Sequence, residues 1–279
     1  MKTKNILLIL GILLAAWIGI GSQIPTILPV SPVTEFVDFL KGMRATGPLE
    51  VGPVGRNLKT WWDFEDFIFN QPNGGGTGKW VPTGSGTSAG AVPDLSTAAR
   101  PGIIILNTGT TSTGAAAIST GGLYNPIQFL FGAGVYTFEA DIYVWLLSTV
   151  TETYALRCGF GDSTSADFVD GAYFEYSDAG STPNWYRCTA SNSTRTKTDT
   201  GVAAVAGAWT RLKVVVNAAG TSVEYFINGT SVGSNTTNIP TGTGRETGAV
   251  LHLIKSVGTT YRILYIDWVW IHADLSVSR

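Results

Sequence analysis

The chain has 279 residues, of which only 14% are charged while 34 are glycine, a composition that excludes a long helical or coiled-coil protein and makes one large all-β domain the prior. Eighteen basic against twenty acidic groups leave a net charge of −2, so there is no broad basic field to neutralise phosphates, and nucleic acid is excluded as an expected partner. Two cysteines rule out a disulfide-dense miniprotein and a four-thiolate zinc site, and two histidines leave little for metal or imidazole chemistry.

Residues 6–20 (ILLILGILLAAWIGI) carry no charge and follow Lys2 and Lys4, which predicts a hydrophobic helix over 1–22. Two readings stay open. A signal peptide needs a basic start, an apolar run of about 7 to 15 residues and small residues at the cleavage site, here Gly19 and Gly21. A retained anchor needs about 20 apolar residues, which extension to Ile24 just supplies. A third use is burial of the helix in an oligomer. Residues 5–24 are therefore the segment expected to meet a membrane or a hydrophobic assembly core, with the rest of the chain outside by the positive-inside rule. Residues 23–60 hold Pro25, Pro29, Pro32, Pro48 and Pro53 and read as a Pro/Gly-rich stalk. Within it, Ser31 as N-cap, Pro32 as first helical residue and a shared face of Val33, Phe36, Val37 and Leu40 predict a short amphipathic helix over 32–41.

From Trp61 the pattern changes to short alternating segments separated by Gly, Asn, Thr and Ser. Over 136–144, Tyr136, Phe138, Ala140, Ile142 and Val144 share one side, and Thr137, Glu139, Asp141 and Tyr143 the other. Residues 210–216 alternate in the same way. Residues 261–271 are apolar on both faces, Ile263, Tyr265 and Val269 opposite Leu264, Ile266 and Trp268, as in a central strand. Asn228-Gly229 is a strong hairpin signal, because a type I′ turn needs positive φ at both central positions; residues 217–220 mark a second turn. Further strands are predicted at 103–106, 115–119, 127–131, 154–160, 172–176, 185–190 and 250–254. Ten or more strands without crossover helices call for two packed antiparallel sheets, a jelly-roll sandwich over 61–279. Nine tryptophans suit a thick intersheet core.

Five segments carry a family resemblance: WWDFEDFIF, FGDSTSADFVDGAYFEYSD, NWYRCTASNSTRTKTDTGVA, WTRLKVVVNAAGTSVEYFINGTSVGS and YIDWVWIHA. They resemble the concanavalin A-like lectin/glucanase (laminin G-like) jelly roll, most closely its versions in tailed-phage structural proteins, over residues 61–275. The resemblance implies two curved sheets and a virion-surface or fibre role with glycan contact. Residues 1–60 lie outside it.

Chemistry is sparse. Retaining glycosidases need two carboxylates about 5 to 5.5 Å apart. Glu139 and Asp141 alone have a comparable spacing, on one strand face, but Val144 and Trp145 stand where the hydrolases of this fold carry the second acid. Asp63, Glu65 and Asp66 read as surface and cap residues, and His252 as a structural residue within a strand. Asp162, Asp167 and Asp170, with Asp178 nearby, are the candidate calcium ligands, since calcium takes 6 to 8 oxygens and loop carbonyls can complete such a set; the spacing is not that of an EF-hand. Sugar binding uses aromatic faces with polar neighbours, and Asn184, Trp185, Tyr186 and Arg187 after the Pro183 turn are the candidates. Cys158 and Cys188 fall two strands apart in a meander, near 10 Å at about 4.8 Å per strand, beyond the usual disulfide reach, so free thiols are expected. Asn192, Asn228 and Asn235 begin glycosylation sequons, which matter only in a glycosylating host.

The resulting expectation is a non-enzymatic, surface-displayed structural or interaction protein with a lectin-like domain, on a virion or the extracellular face of a membrane, with a glycan as partner. The alternatives are a secreted glycan-active hydrolase of the same fold, and a homo-oligomeric filament subunit assembled through its N-terminal helix.

Overall fold

Alternating apolar residues become strands where one face can be buried, as in Gly134–Val144 and Trp209–Val216 among the fourteen strands of the described residues. The computed structural model describes residues 60–65 (backbone alone), 80–84, 97, 99–100, 102–120, 129–177 and 183–276. The predicted helices at 1–22 and 32–41, the stalk, Asp66 and Asp178 lie outside the described residues. In chain order the strands are β1 (Thr60–Glu65), β2 (Trp80–Gly84), β3 (Ile104–Asn107), β4 (Ala115–Thr120), β5 (Gly134–Val144), β6 (Thr153–Gly161) and β7 (Gly171–Ser177). They continue as β8 (Asn184–Ser191), β9 (Thr194–Ala203), β10 (Trp209–Val216), β11 (Val223–Ile227), β12 (Thr230–Asn235), β13 (Gly248–Val257) and β14 (Ile263–Leu275).

Two seven-stranded sheets result. The first runs β1-β14-β5-β10-β11-β12, with β3 also paired to β14; the second runs β2-β4-β13-β6-β7-β8-β9. Every strand pairing is antiparallel. Between the sheets lies the core. Tyr136, Phe138, Ala140, Ile142 and Val144 of β5 meet Leu156, Cys158 and Phe160 of β6 and Ala172, Phe174 and Tyr176 of β7. The inward set on β5 is the one the alternation predicts. The Asn228-Gly229 turn forms with φ of 50° and 82°, and joins β11 to β12.

Two expectations change. Of the strand predicted at 127–131, the described residues 129–131 form isolated bridges, Phe129 with Thr247 and Phe131 with Thr241. On β14 the pairing register shifts between Ile266 and Trp268, so Asp267 is a bulge and the inward face switches phase. Leu264 and Ile266 point into the core before it, and Val269, Ile271 and Ala273 after it. Strict alternation from 261 to 271 therefore misplaces Val269. Asp267 meets Arg100 Nη1 at 2.7 Å, a nitrogen that also holds Asp141 at 2.5 Å, while the Arg100 guanidinium lies 4.2 Å from the Trp209 ring centre.

Candidate functional site

The second sheet has an outer face unlike that of an ordinary half-solvated sheet. Antiparallel register places His252 of β13 opposite Arg157 of β6, Arg157 opposite Glu175 of β7, and Glu175 opposite Tyr186 of β8. Cross-strand partners share a face, so these four form one polar row across the sheet. Three of them are buried: Arg157 is 4% exposed, Glu175 3% and His252 0%. Removing such charges from water costs several kcal/mol each unless hydrogen bonds replace the solvent, and here they do. Arg157 Nε donates to Glu175 Oε2 at 2.7 Å, its Nη1 contacts His252 Nε2 at 3.0 Å, and its Nη2 pairs with Asp167. Glu175 Oε1 also takes Lys197 Nζ at 2.7 Å and the Ser177 hydroxyl at 2.8 Å.

Burial alone would raise the Glu175 carboxyl, but Arg157 and Lys197 outweigh it and hold it down at about 2. Burial, with Arg157 adding to it, pushes His252 down to about 3. Both groups are thus locked at neutral pH, one as carboxylate and one as neutral imidazole. Desolvation raises the Tyr173 phenol and both buried thiols. Cys158 and Cys188 are free, with β7 between their strands.

The loop between β6 and β7 lies on this face. Phe168 is 1% exposed, edge-on to Tyr173 at 4.7 Å and tilted over His252 at 4.8 Å. A Cβ on Gly161 would overlap its ring, so the loop seats only because that strand end is bare. Next to Asp167 and Arg157 opens a cleft of about 360 Å³, at the small end of ligand-pocket volumes, which start at about 300 Å³. Ala155 and Ile254 supply its apolar lining, and Thr153, Ser177 and Ser256 line it with hydroxyls.

The predicted site residues divide across the sheet. Trp185 is 1% exposed and packs in the intersheet core against Phe174 and Tyr176; it has no face to offer a sugar, which corrects the expectation. Arg187, two positions on and so on the same side, donates to the Val232 carbonyl of the other sheet at 2.7 Å. Tyr186 faces outward beneath Lys197, whose Nζ is 4.3 Å from its ring centre, and Asn184 is held by Asp199 at 3.0 Å. The aspartates do not form a cation cage either. Asp162 accepts the amides of Val169 and Asp170 at 3.0 and 3.2 Å. Asp170 pairs with Arg245 at 3.1 Å and accepts the Asn192 amide, and Asp167 is shared by Arg157 and Arg195. Arginines and amides occupy the oxygens calcium would need, and no cluster of three metal-donor side chains occurs among the described residues. Glu139 lies on the first sheet, paired with Arg211 at 3.3 Å.

Sequence reasoning passed over Arg157, Glu175 and Lys197 and read His252 as structural. A signal was present, since Arg157, Glu175 and His252 each interrupt an apolar stretch, YALRCGF, GAYFEY and AVLHLI.

Residues 99–267 match the family model described as SO2946-like, C-terminal domain. The chain belongs to this family. The crystal structure of SO2946 from Shewanella oneidensis MR-1, a protein of unknown function, shares the fold with a TM-score of 0.61 at 15% identity, over 89% of this chain and 96% of that one. The carbohydrate recognition domain of Emp47p aligns with a TM-score of 0.51 at 9% identity, over 80% of this chain and 100% of that one. Peanut lectin aligns with a TM-score of 0.52 at 10% identity, over 77% and 98%. These neighbours share with this chain the fold alone, an antiparallel two-sheet jelly roll. No curated protein matches the sequence.

Proposed function

We propose that the domain is a non-catalytic, lectin-like module that takes a glycan on the outer face of its second sheet. The observation that carries this reading is the cleft beside Arg157: three hydroxyls, a guanidinium and a carboxylate line one small cavity with an apolar patch, the mixture a sugar ring requires. Arg157 is pre-set by buried Glu175, and a group already fixed costs little ordering on binding. The fold neighbours among lectins, Emp47p's carbohydrate recognition domain included, support it.

The same geometry disfavours hydrolysis. A glycosidase needs one carboxyl kept protonated at working pH, whereas Glu175 is held down at about 2. Asp141, the other half of the predicted pair, is bound to Arg100 on the opposite sheet. Binding on a glycan array, followed by calorimetry on the strongest hit, tests the reading. Ala155→Trp, which fills the cleft, abolishes binding while leaving the melting temperature within a few degrees. Release of reducing sugar from that hit, lost in Glu175→Gln, would overturn the non-catalytic reading.

The uncharged run at 6–20 supports display of this module on a virion or cell envelope through its N-terminal segment. The mass of the N-terminal peptide of the native protein tests this: a mature start beyond residue 20 would sink it in favour of secretion.

A further inference from the structure

We infer that the glycan taken by this face is acidic, and that Asp167 holds the place its carboxylate would take. This rests on the reading above and goes further, to the chemical class of the ligand.

Three cations crowd the outer face, Arg157, Arg195 and Lys197, and two carboxylates answer them. Glu175 is the permanent partner: 4% exposed at its side chain, it is bonded to Arg157 and to Lys197. Asp167 is different. Its side chain is 67% exposed, yet it caps a guanidinium that is only 5% exposed, and it reaches a second, Arg195, at 3.4 Å. The buried arginine is fixed by Glu175 and His252 and cannot follow a moving partner. The solvated carboxylate can leave by a change of rotamer, while its neighbour Phe168 keeps the loop seated.

With Asp167 turned away, Glu175 is the one carboxylate still paired with these three cations, since Asp199, opposite Tyr186 on the same face, is held by Asn184. Arg157 Nη2 and Arg195 Nη1, the two nitrogens that Asp167 bridges, are then without it beside the cleft that Arg157 lines. Arg195 Nη2 stays on the Phe168 carbonyl at 3.2 Å, which leaves Nη1, now on Asp167, as the nitrogen that turns to the ligand. A bond from a guanidinium to a carboxylate is charge-assisted, shorter and stronger than a neutral one, and a ligand carboxylate bridging the two arginines as Asp167 does makes two of them. An acidic sugar in the cleft would thus exchange one carboxylate for another across Arg157 Nη2 and Arg195 Nη1. His252, neutral behind Arg157, supplies no competing anion.

The test is calorimetry on the full chain with three probes: tetragalacturonic acid, 3′-sialyllactose and, as the neutral reference, cellotetraose, with a sulfated chitotetraose as a fourth arm. Asp167→Asn removes the internal competitor at constant shape. It should raise the affinity for a carboxylated probe relative to that for cellotetraose roughly ten-fold, the scale of a charge-assisted pair gained. Arg195→Ala should weaken the same probe by a similar factor, and wild-type affinity for it should fall between 50 and 300 mM salt. If the sulfated probe alone responds, the carboxylate assignment is overturned. If cellotetraose binds and Asp167→Asn leaves every acidic probe unchanged, the inference fails while the lectin reading survives. If no glycan binds on the array either, the lectin reading itself falls and takes the inference with it. Melting curves of both variants accompany the titrations, and should Asp167→Asn unfold, Arg195→Ala and the salt series decide alone.

Discussion

Arginine cannot accept a hydrogen bond, so the 3.0 Å contact between Arg157 Nη1 and His252 Nε2 makes the imidazole the acceptor and its neutral form obligatory. Burial disfavours the charged imidazole and the facing Arg157 guanidinium adds to that, which is why His252 sits at about 3 instead of near 6.5. The consequence for stability has a definite sign. Between those two values the unfolded chain binds a proton that the folded chain does not, so stability rises with pH there and is lost as pH falls below about 6.5. Glu175 acts the same way lower down: its carboxylate contribution is complete above its ordinary 4.5 and is lost as pH falls toward about 2. Urea melts at pH 7.5, 6 and 5 should show wild-type stability declining across the series, at no more than about 1.4 kcal/mol per pH unit for one proton. His252→Gln keeps an acceptor without the titration and should flatten the decline above pH 5; an unchanged slope in that variant would refute the assignment. Of the row His252, Arg157, Glu175 and Tyr186, the first three were legible as polar interruptions of apolar strands. Their convergence was not, because it depends on the register of four strands, and register is set by pairings that no single segment encodes.

At the level of elements, the loop between β6 and β7 depends on a trade between one ring and one missing side chain. Phe168 is buried over Gly161 and Gly171, and a Cβ at 161 would occupy its ring position. Phe168→Ala should cost about 3 kcal/mol or more, as for other buried phenylalanines, and Gly161→Ala about 1 to 3 kcal/mol by overpacking. Because the second methyl fills space the first change vacates, the double variant should be less destabilised than the sum, by about 1 kcal/mol or more. Additivity in urea denaturation would mean that the ring does not sit there. Strands with one buried face, such as β5 and β10, were readable from alternation alone. β9 was not: TRTKTDTGVA is polar along its length and lies at the sheet edge on β8, where charged residues protect against further pairing and leave no hydrophobic period to detect. β14 escaped in another way. Its bulge at Asp267 is anchored by Arg100, and a phase change imposed by a residue so distant in sequence leaves no local trace.

For the whole molecule the alternation and the turns sufficed to say two antiparallel sheets, since a row of apolar residues on each strand must be covered by another layer. What closes the two layers at the β8–β12 edge is polar, and there the sequence misleads. Arg187 looks like a sugar ligand beside an aromatic pair, yet it spans the intersheet gap to the Val232 carbonyl. Around it the Tyr225 hydroxyl donates to the Cys188 carbonyl at 2.6 Å, Thr189 Oγ1 to the Thr237 carbonyl at 2.8 Å, and Asn235 Nδ2 to the Arg187 carbonyl at 3.3 Å. Gly233 completes the latch: its φ is 105°, and a Cβ there would overlap the Arg187 guanidinium. These bonds replace apolar packing where the core thins out toward the edge strand. The two roles for Arg187 separate cleanly in one variant. Arg187→Ala leaves the Val232 carbonyl without its donor and removes the stem from the gap, so it should destabilise the domain by about 2 kcal/mol, a buried charged hydrogen bond plus lost packing. Affinity for any glycan bound at the cleft should stay within two-fold, because the side chain leaves the sheet on the opposite face. A large loss of affinity with an unchanged melting temperature would mean that the edge opens in solution and that Arg187 reaches the ligand after all.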